Sequence, residues 1–483
     1  MSDMTRNRII KNLINTNALL LTNKTKYNPM KNLIFSLIWL FAFVSFQEIS
    51  NAQIQNYPDP INNPESSLML AGDWFDHPHD IDFDNLPKIP SEHSIVSDVR
   101  YAGGRKVNQH NYLVYYEGRY WAMWTDGTGI PQKATAEENQ YFPPGHELTG
   151  QMVSYSTSKD GVNWTEPRYL TVPPDIGFGW IARGFWVREG KLLALVSRFN
   201  APPPYDEEGN QMTYGHPLLY DEDGRPLTYA ERRYPEGVYS WHKHESTIVS
   251  YSGEGLQLHA FKMVEDGGEC QCFDWKHVGI VYDNALNNFP PKKLPNGEWM
   301  MSRRDKNRDV HMMAGGIEAI DRWQSFPVIG YQGEELRAEE PYWWVLPDGK
   351  NLVALFRDNT GSGYIFRAFS TDNGRTWSRL VRTNYPSAPS KFNGLRLDDG
   401  RYVLVSNPNP TARRELILAI SDDGMVFNKM GYLVGERHVD YPHVIVHDEH
   451  LYVAFAGAKQ SVEVLKIKIS DLDDIDMSKM KDN

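Results

Sequence analysis

Cysteine is almost absent from this chain: Cys270 and Cys272 are the two in 483 residues. No disulfide framework can support the fold, which must rest on a hydrophobic core of its own. Positive charge is also short, with 50 Lys and Arg against 62 Asp and Glu, a net charge of −12. That balance argues against nucleic acid as a partner, and any anion must be met by a local basic patch. Long apolar runs are scarce too. The one at Leu33–Phe46, within "MKNLIFSLIWLFAFVSFQEISNAQ", is short for a membrane span. A basic start at Met30 and the Ser50-Asn51-Ala52 triplet before Gln53 make residues 30–52 read as a secretory signal, so the mature protein is expected in the periplasm, at the cell surface or outside the cell. Residues 1–29 read as a non-structural extension, 53–93 as a leader packing on the main domain, 94–475 as that domain and 476–483 as a flexible tail.

Aromatic residues are abundant, with 14 Trp and 26 Tyr, and they fall in a pattern. Apolar and polar residues alternate about short turns in "NYLVYYEGRYWAMW" (111–124), "GFWVREGKLLALVS" (184–197), "KKLPNGEWMMS" (292–302), "YWWVLPDGKNLVALF" (342–356), "GLRLDDGRYVLVS" (394–406) and "HVIVHDEHLYVAF" (443–455). Period-two alternation with a tight polar turn predicts half-buried β-hairpins. Their turns lie near 118, 190, 297, 349, 400 and 449, the last four about 50 residues apart, as in propeller repeats. The double interval from 190 to 297 leaves room for a seventh unit, for which "STIVSYSGEGLQLHAF" (246–261) is the candidate. Residues 200–240 read as an inserted loop.

A second repeat crosses the first. "YSTSKDGVNWTEP" (155–167), "AFSTDNGRTWSRL" (368–380) and "AISDDGMVFNKM" (419–430) each carry Ser, Asp, Gly and then an aromatic at matching spacing. Asp or Asn caps backbone N–H groups, Gly takes the positive φ, and the aromatic folds back between neighbouring units. These copies resemble the Asp-box of sialidase-type β-propellers. The expected fold is therefore all-β: a seven-bladed β-propeller, with six blades as the alternative. The last blade ends at "VEVLKIKIS" (462–470), and the N-terminal "SIVSDVRYAG" (94–103) is expected to supply its missing strand and close the ring.

Propeller geometry brings residues just before the first strand of each blade, and just after the second, to one mouth. Read off the sequence, these include His110, Arg183, Asn288, Glu340, Asn393, Tyr441 and His443, then Trp124, Arg198, Arg303, Arg304 and Arg357. Arginine suits carboxylate or sulfate because its planar donors meet two oxygens at once. An anionic sugar is the expected ligand, with Arg198, Arg303, Arg357, Asn393 and Trp124 as candidate substrate-binding residues. Pairing of some arginines with Glu340, Asp305 or Asp358 is the structural alternative.

A sialidase would need an Arg-Ile-Pro motif in the first blade, and none occurs. "NQHNYLVYYEGRYWAMW", "ARGFWVREGKLLAL", "NNFPPKKLPNGEWMMSRRD" and "DYPHVIVHDEHLYVAF" together resemble the seven-bladed propeller ulvan lyases, along with a related glycosidase and oligosaccharide dehydratase acting on rhamnose–glucuronate linkages. The resemblance covers roughly residues 95–472. It implies β-elimination from a uronate: a base takes the C5 proton and the C4 substituent leaves, while cations stabilise charge developing on the carboxylate. His110 matches the family's first active-site histidine and is assigned the acid/base role. Arg183 and Arg304 are the candidates for carboxylate neutralisation, Tyr214 and Tyr220 for proton shuttling, and His443 is a further candidate. The second histidine of the lyases is missing from "MWTDGTG", which tilts the expectation from chain cleavage towards dehydration of a terminal uronate. An endo-acting lyase, a sialidase-like or rhamnose–glucuronate glycosidase and a non-catalytic sugar binder remain the alternatives.

"GECQCFDWKH" (268–277) holds both cysteines. In extended chain a Cys-x-Cys pair puts both sulfurs on one face, awkward for a disulfide and suited to zinc. His277 is a possible third ligand and His244 or His259 a fourth. The family resemblance also implies zinc, here expected as a structural ion.

Overall fold

The computed structural model describes residues 56–72, 81–100, 106–128, 150–175, 178–200, 221–225, 227, 255–265, 273–329 and 337–481. The blades all belong to the unit Pro58–Asn483. Blade one holds β2 (Lys106–Tyr116), β3 (Arg119–Thr128), β4 (Met152–Ser158) and β5 (Arg168–Tyr169). Blade two holds β6 (Phe178–Arg188), β7 (Lys191–Asn200), β8 (Gln257–Glu265) and β9 (Phe273–Asp283). Blade three is β10 (Lys292–Lys293), β11 (Trp299–Arg304), β12 (Val310–Gly315) and β13 (Trp323–Ile329). Blade four is β14 (Ala338–Val345), β15 (Leu352–Asp358), β16 (Tyr364–Ser370) and β17 (Val381–Pro386). Blade five is β18 (Asn393–Arg396), β19 (Tyr402–Ser406), β20 (Leu416–Ser421) and β21 (Lys429–Val434). Blade six takes β22 (Val439–His447), β23 (His450–Gly457) and β24 (Ser461–Lys468), with β1 (Glu92–Asp98) as its fourth strand.

The architecture is an all-β propeller of six four-stranded antiparallel sheets, the alternative count rather than seven. All six predicted turns join the first and second strands of a blade. The proposed seventh hairpin is not one: its described part belongs to β8, which pairs with β7 and β9 as the third strand of blade two, and residues 246–254 lie outside the described residues. The wide interval in turn spacing is chain inserted between Asn200 and Gln257, inside one blade.

The three Asp-boxes turn the chain from third to fourth strand in blades one, four and five. In each, a serine Oγ accepts the glycine N–H at 2.9 Å: Ser158 from Gly161, Ser370 from Gly374 and Ser421 from Gly424. Gly161 has φ +77°, and a Cβ there would meet Tyr452 at 2.4 Å, so the box packs blade one against blade six only as glycine.

The N-terminal strand closes the ring. β1 pairs with β24 from Glu92↔Lys466 to Asp98↔Ser461, leaving the last blade no open edge. Glu463 binds this seam through His93 at 2.7 Å, Arg437 at 2.6 and 2.9 Å and Ser461 at 2.6 Å. Burial alone would raise the Glu463 carboxyl, but His93, Arg437 and Ser461 outweigh it and hold it at about 2 against an ordinary 4.5. A depressed carboxylate stabilises the fold above its unfolded value and loses that contribution as pH falls through the folded one. Thermal melts between pH 5 and 2.5 should therefore show a steeper loss of stability in the native protein than in Glu463→Gln; parallel curves would show that Glu463 does not govern acid sensitivity.

Upstream of β1, the chain runs across blades four and five. Leu70 bridges Phe427 and Lys88 bridges Tyr432 in parallel, while Asn384 Oδ1 accepts the N–H groups of Met69 and Leu70 at 2.7 and 2.9 Å. Tyr112, Phe289, Tyr342 and Phe392 are buried in the largest hydrophobic cluster. Tyr112 Oη donates to Asn288 O at 2.6 Å, joining β2 to the segment ahead of β10.

Candidate functional site

The innermost strands of four blades break register: between Gln109 and Tyr112 in β2, Ala182 and Gly184 in β6, Glu339 and Tyr342 in β14, and Asp440 and His443 in β22. Each bulge holds a positive φ, at His110 (56°), Gly184 (102°), Glu340 (53°) and Tyr441 (56°). A bulge inserts a residue without a partner on the next strand and re-aims its side chain. Of the residues nominated as preceding the first strand, His110, Arg183, Glu340 and Tyr441 thus stand inside it, on kinks.

The bulges bring together a buried, strongly charged group. The His110 ring stacks on Tyr441, centroids 4.6 Å apart at 25°. Lys391, buried in the segment between β17 and β18, places Nζ 3.2 Å from His110 Nδ1 and 5.4 Å from the Tyr441 ring centre. Arg413 and Lys459 lie 5.7 and 5.8 Å from the same ring centre. Arg357 donates to Glu340 at 2.7 Å, Arg304 pairs with Glu339, Arg413 donates to Asp440 at 2.9 Å, and Arg337 stands 3.8 Å from Glu339. Arg183 is buried, held by Ser197 at 3.1 Å and Asn288 at 3.4 Å.

Electrostatics sorts these groups by role. Burial alone would raise Glu340, but Arg357, Lys391 and Arg304 hold it at about 2. Burial would likewise raise Asp440, but His438, Lys459 and Arg413 hold it well below the usual carboxylate range. Both stay ionised at neutral pH, as poor general acids. Burial pulls Lys391 down to about 7, Glu340 opposing, and pushes the Tyr441 phenol well above its ordinary value. Six cationic side chains (Arg183, Arg304, Arg337, Arg357, Arg413, Lys459) and the amine of Lys391 surround three carboxylates (Glu339, Glu340, Asp440). Cations thus outnumber carboxylates at one spot of a chain that is acidic overall.

Several nominated residues do other work. Trp124 is 0% exposed, its indole N–H donating to Asn108 Oδ1 at 3.1 Å, so no face is left for a sugar. Asn393 Oδ1 accepts Val444 N–H at 2.9 Å, clamping blade five to six, and His443 Nδ1 accepts Leu113 N–H at 3.1 Å, clamping six to one. Burial, with Lys292 adding to it, pushes His443 down to about 3, which keeps the imidazole neutral. Strand alternation separates Arg303 from Arg304. Arg303 turns the other way, to Asn284 O at 2.8 Å and over the Tyr282 ring. Arg198 lies over Phe178, 3.5 Å from its ring centre, and 3.8 Å from Asp175. Tyr214 and Tyr220 lie outside the described residues. Conversely, Lys391, Tyr441, Glu340, Arg413 and Lys459 join the site although none was nominated as a site residue; Tyr441 and Glu340 were visible as mouth positions, and Lys391 directly precedes the mouth segment of blade five.

For a metal, the described part of the nominated set is the His259–His277 pair on β8 and β9, ring nitrogens 3.0 Å apart. His259 Nε2 contacts Gln257 Oε1 at 3.2 Å and so carries its proton, leaving the Nδ1 lone pair towards His277. Burial, then His277 and Arg198, push His259 down to about 4, which keeps it neutral. Two adjacent imidazoles of this kind fit zinc ligation. Cys270, Cys272 and His244 lie outside the described residues. Among the described residues Asp305, Asp309 and His311 also gather ligand atoms, but Asp305 Oδ1 already accepts the N–H groups of Asn307 and Asp309.

Residues 284–453, covering blades three to five and the first hairpin of blade six in part, match the BNR repeat-like domain model. No curated protein matches the chain in sequence. Among solved structures, a protein of unknown function from Dyadobacter fermentans aligns with 79% of this chain and 100% of its own, at 14% identity and a TM-score of 0.54. The leech intramolecular trans-sialidase aligns over 80% of this chain and 71% of its own, at 11% identity and 0.52. The intramolecular trans-sialidase of Ruminococcus gnavus does so over 78% and 98%, at 12% identity and 0.50. At such identities the likeness is one of fold, a β-propeller.

Proposed function

We propose that the protein is a carbohydrate-active enzyme that takes an anionic saccharide, a uronate, at the His110–Tyr441 mouth and eliminates across C4–C5. The observation that carries this reading is the excess of cationic side chains, most of them partly buried, around those two rings on a chain of net charge −12. Guanidinium groups neutralise the sugar carboxylate and stabilise the charge that develops on it as the C5 proton leaves. His110 takes that proton. Tyr441, kept protonated by burial, donates to the departing C4 oxygen. Glu340 and Asp440 are tied up as anions, which speaks against hydrolysis by a carboxylic acid and a carboxylate. The missing second histidine in "MWTDGTG", at the end of β3, favours loss of hydroxyl from a terminal uronate over cutting within a chain. Export places the enzyme where it meets saccharides from outside the cell. Zinc at His259 and His277, completed by Cys270 and Cys272, would hold the outer strands of blade two together, and the chemistry needs no step through it.

A second reading is favoured by Tyr441 standing within the field of Glu340 and Arg413, on a fold shared with trans-sialidases: a glycosidase with a tyrosine nucleophile. One experiment separates them. The purified protein is incubated with glucuronate-terminated oligosaccharides from ulvan, with ulvan itself and with a sialoside, and ultraviolet absorbance and product masses are followed. The proposal expects a new absorbing double bond and loss of one water at constant chain length. Shorter unsaturated chains would indicate a lyase, free sialic acid the glycosidase, and no turnover a sugar binder.

A further inference from the structure

Imidazoles that move protons are commonly oriented by a carboxylate. At His110 an amine stands in that position: Lys391 Nζ lies 3.2 Å from its Nδ1. Two features fix that arrangement. The left-handed bulge at His110 and the stack on Tyr441 restrict the ring, and Lys391 is 3% exposed, with its Nζ over the rings of Phe289 and Tyr441. Among the described residues no carboxylate stands within ion-pair distance of Lys391. The charged groups acting on it from the packed elements are Glu340, Arg183, Arg357 and Asp440.

We infer that Lys391 and His110 form a proton-relay dyad, in which the charge gained with the substrate proton resides on the lysine and not on the imidazole. The inference rests on the proposed reading of the site and deepens it. In the resting form Lys391 is a neutral amine accepting the Nδ1 proton, so the lone pair is on Nε2. When substrate C–H gives its proton to Nε2, the C–H electron pair stays with the sugar and forms the new double bond as the C4–O bond breaks. The Nδ1 proton passes to Lys391 Nζ in the same movement. The product form is an ammonium donating to Nδ1 of an Nε2–H imidazole. No imidazolium forms, which suits a site already crowded with cations. Burial of the amine among them supports a neutral resting form near neutral pH. A lysine too exposed to lose its proton could not serve in this way.

The test reads the ring directly and needs no substrate. Protein labelled with nitrogen-15 in histidine is titrated by NMR from pH 5 to 9, with His110→Asn identifying the His110 signals. The dyad predicts an exchange of the protonated nitrogen, from Nε2 at low pH to Nδ1 at high pH, with no imidazolium signal in that range. In Lys391→Met, His110 should instead titrate to imidazolium. An ordinary imidazolium transition in the native protein, or identical titrations in both proteins, would overturn the dyad. If Lys391→Met does not fold, the native titration alone decides. Where turnover is measurable, Lys391→Arg keeps the charge but cannot accept the proton, so kcat should fall at least 100-fold with KM within about threefold. Unchanged kcat would also overturn the dyad. A confirmed tautomer switch in a protein inactive on uronates would sink the proposed reaction and leave the dyad standing.

Discussion

Arg367→Met should destabilise the propeller by roughly 3–5 kcal/mol and release the segment that runs across blades four and five. Arg367 is 1% exposed. Its guanidinium donates to Leu68 O at 3.0 Å, Met425 O at 2.9 Å and Ser66 O at 2.7 Å. Burial pulls its pKa down to about 9, so it is still charged at neutral pH. Those three carbonyls come from two separate stretches of chain, and Arg367 belongs to a third. Methionine matches the length of the side chain but offers no donor, so buried carbonyl groups would be left unsatisfied, at about 1–3 kcal/mol each, less whatever relaxation recovers. Asn384 and the backbone bridge to Phe427 would then be left to hold Met69 and Leu70. Chemical denaturation should show the loss of stability, and limited proteolysis should show earlier cutting upstream of β1. A change below about 1 kcal/mol would mean that the segment is held by its apolar contacts and not by the guanidinium.

Arg367 sits in "IFRAFS", where alternation marks a strand but nothing marks a buried cation, and that contrast describes much of what sequence reading could and could not reach. The hairpins were legible because pairing and turning are local: Glu117-Gly118 and Glu189-Gly190 hold the positive φ values their turns need. The blade count was not, because counting assumes even spacing and blade two carries its insertion between its second and third strands. At the mouth, His110, Arg183, Arg304 and Arg357 were found from strand ends, yet Trp124, Asn393 and His443 share those ends and turn into the blade interfaces. Which way a residue turns depends on the bulges, and a bulge leaves no mark when its left-handed residue is His, Glu or Tyr rather than Gly. Arg303 and Arg304 differ only by strand alternation, which became readable once the register of β11 was fixed. Lys391 was hidden more thoroughly. "PSAPSKFNG" reads as an exposed polar connection, and its burial comes from other blades meeting over it.

Removal of the imidazole at position 110 should abolish turnover while leaving the fold and the anion site in place. The substitution matters. His110 has φ 56°, a conformation that asparagine tolerates far better than alanine, so His110→Asn removes the proton-transfer group with little added strain. General acid–base catalysis by one side chain contributes about 10²–10⁴-fold, and kcat on a glucuronate-terminated oligosaccharide should fall by that factor. KM should move by less than about threefold, because the guanidinium groups expected to hold the carboxylate, Arg183 and Arg304, are untouched. The measurement is the initial rate of double-bond formation followed by ultraviolet absorbance, paired with a thermal melt and with binding of the intact saccharide. Added imidazole should restore part of the rate in the variant and none in the native protein, since the vacated space lies against the Tyr441 ring. Retention of kcat within tenfold would remove His110 from the chemistry and shift the proton-transfer role to Tyr441 or Lys391. A rate lost together with saccharide binding would make His110 a binding residue.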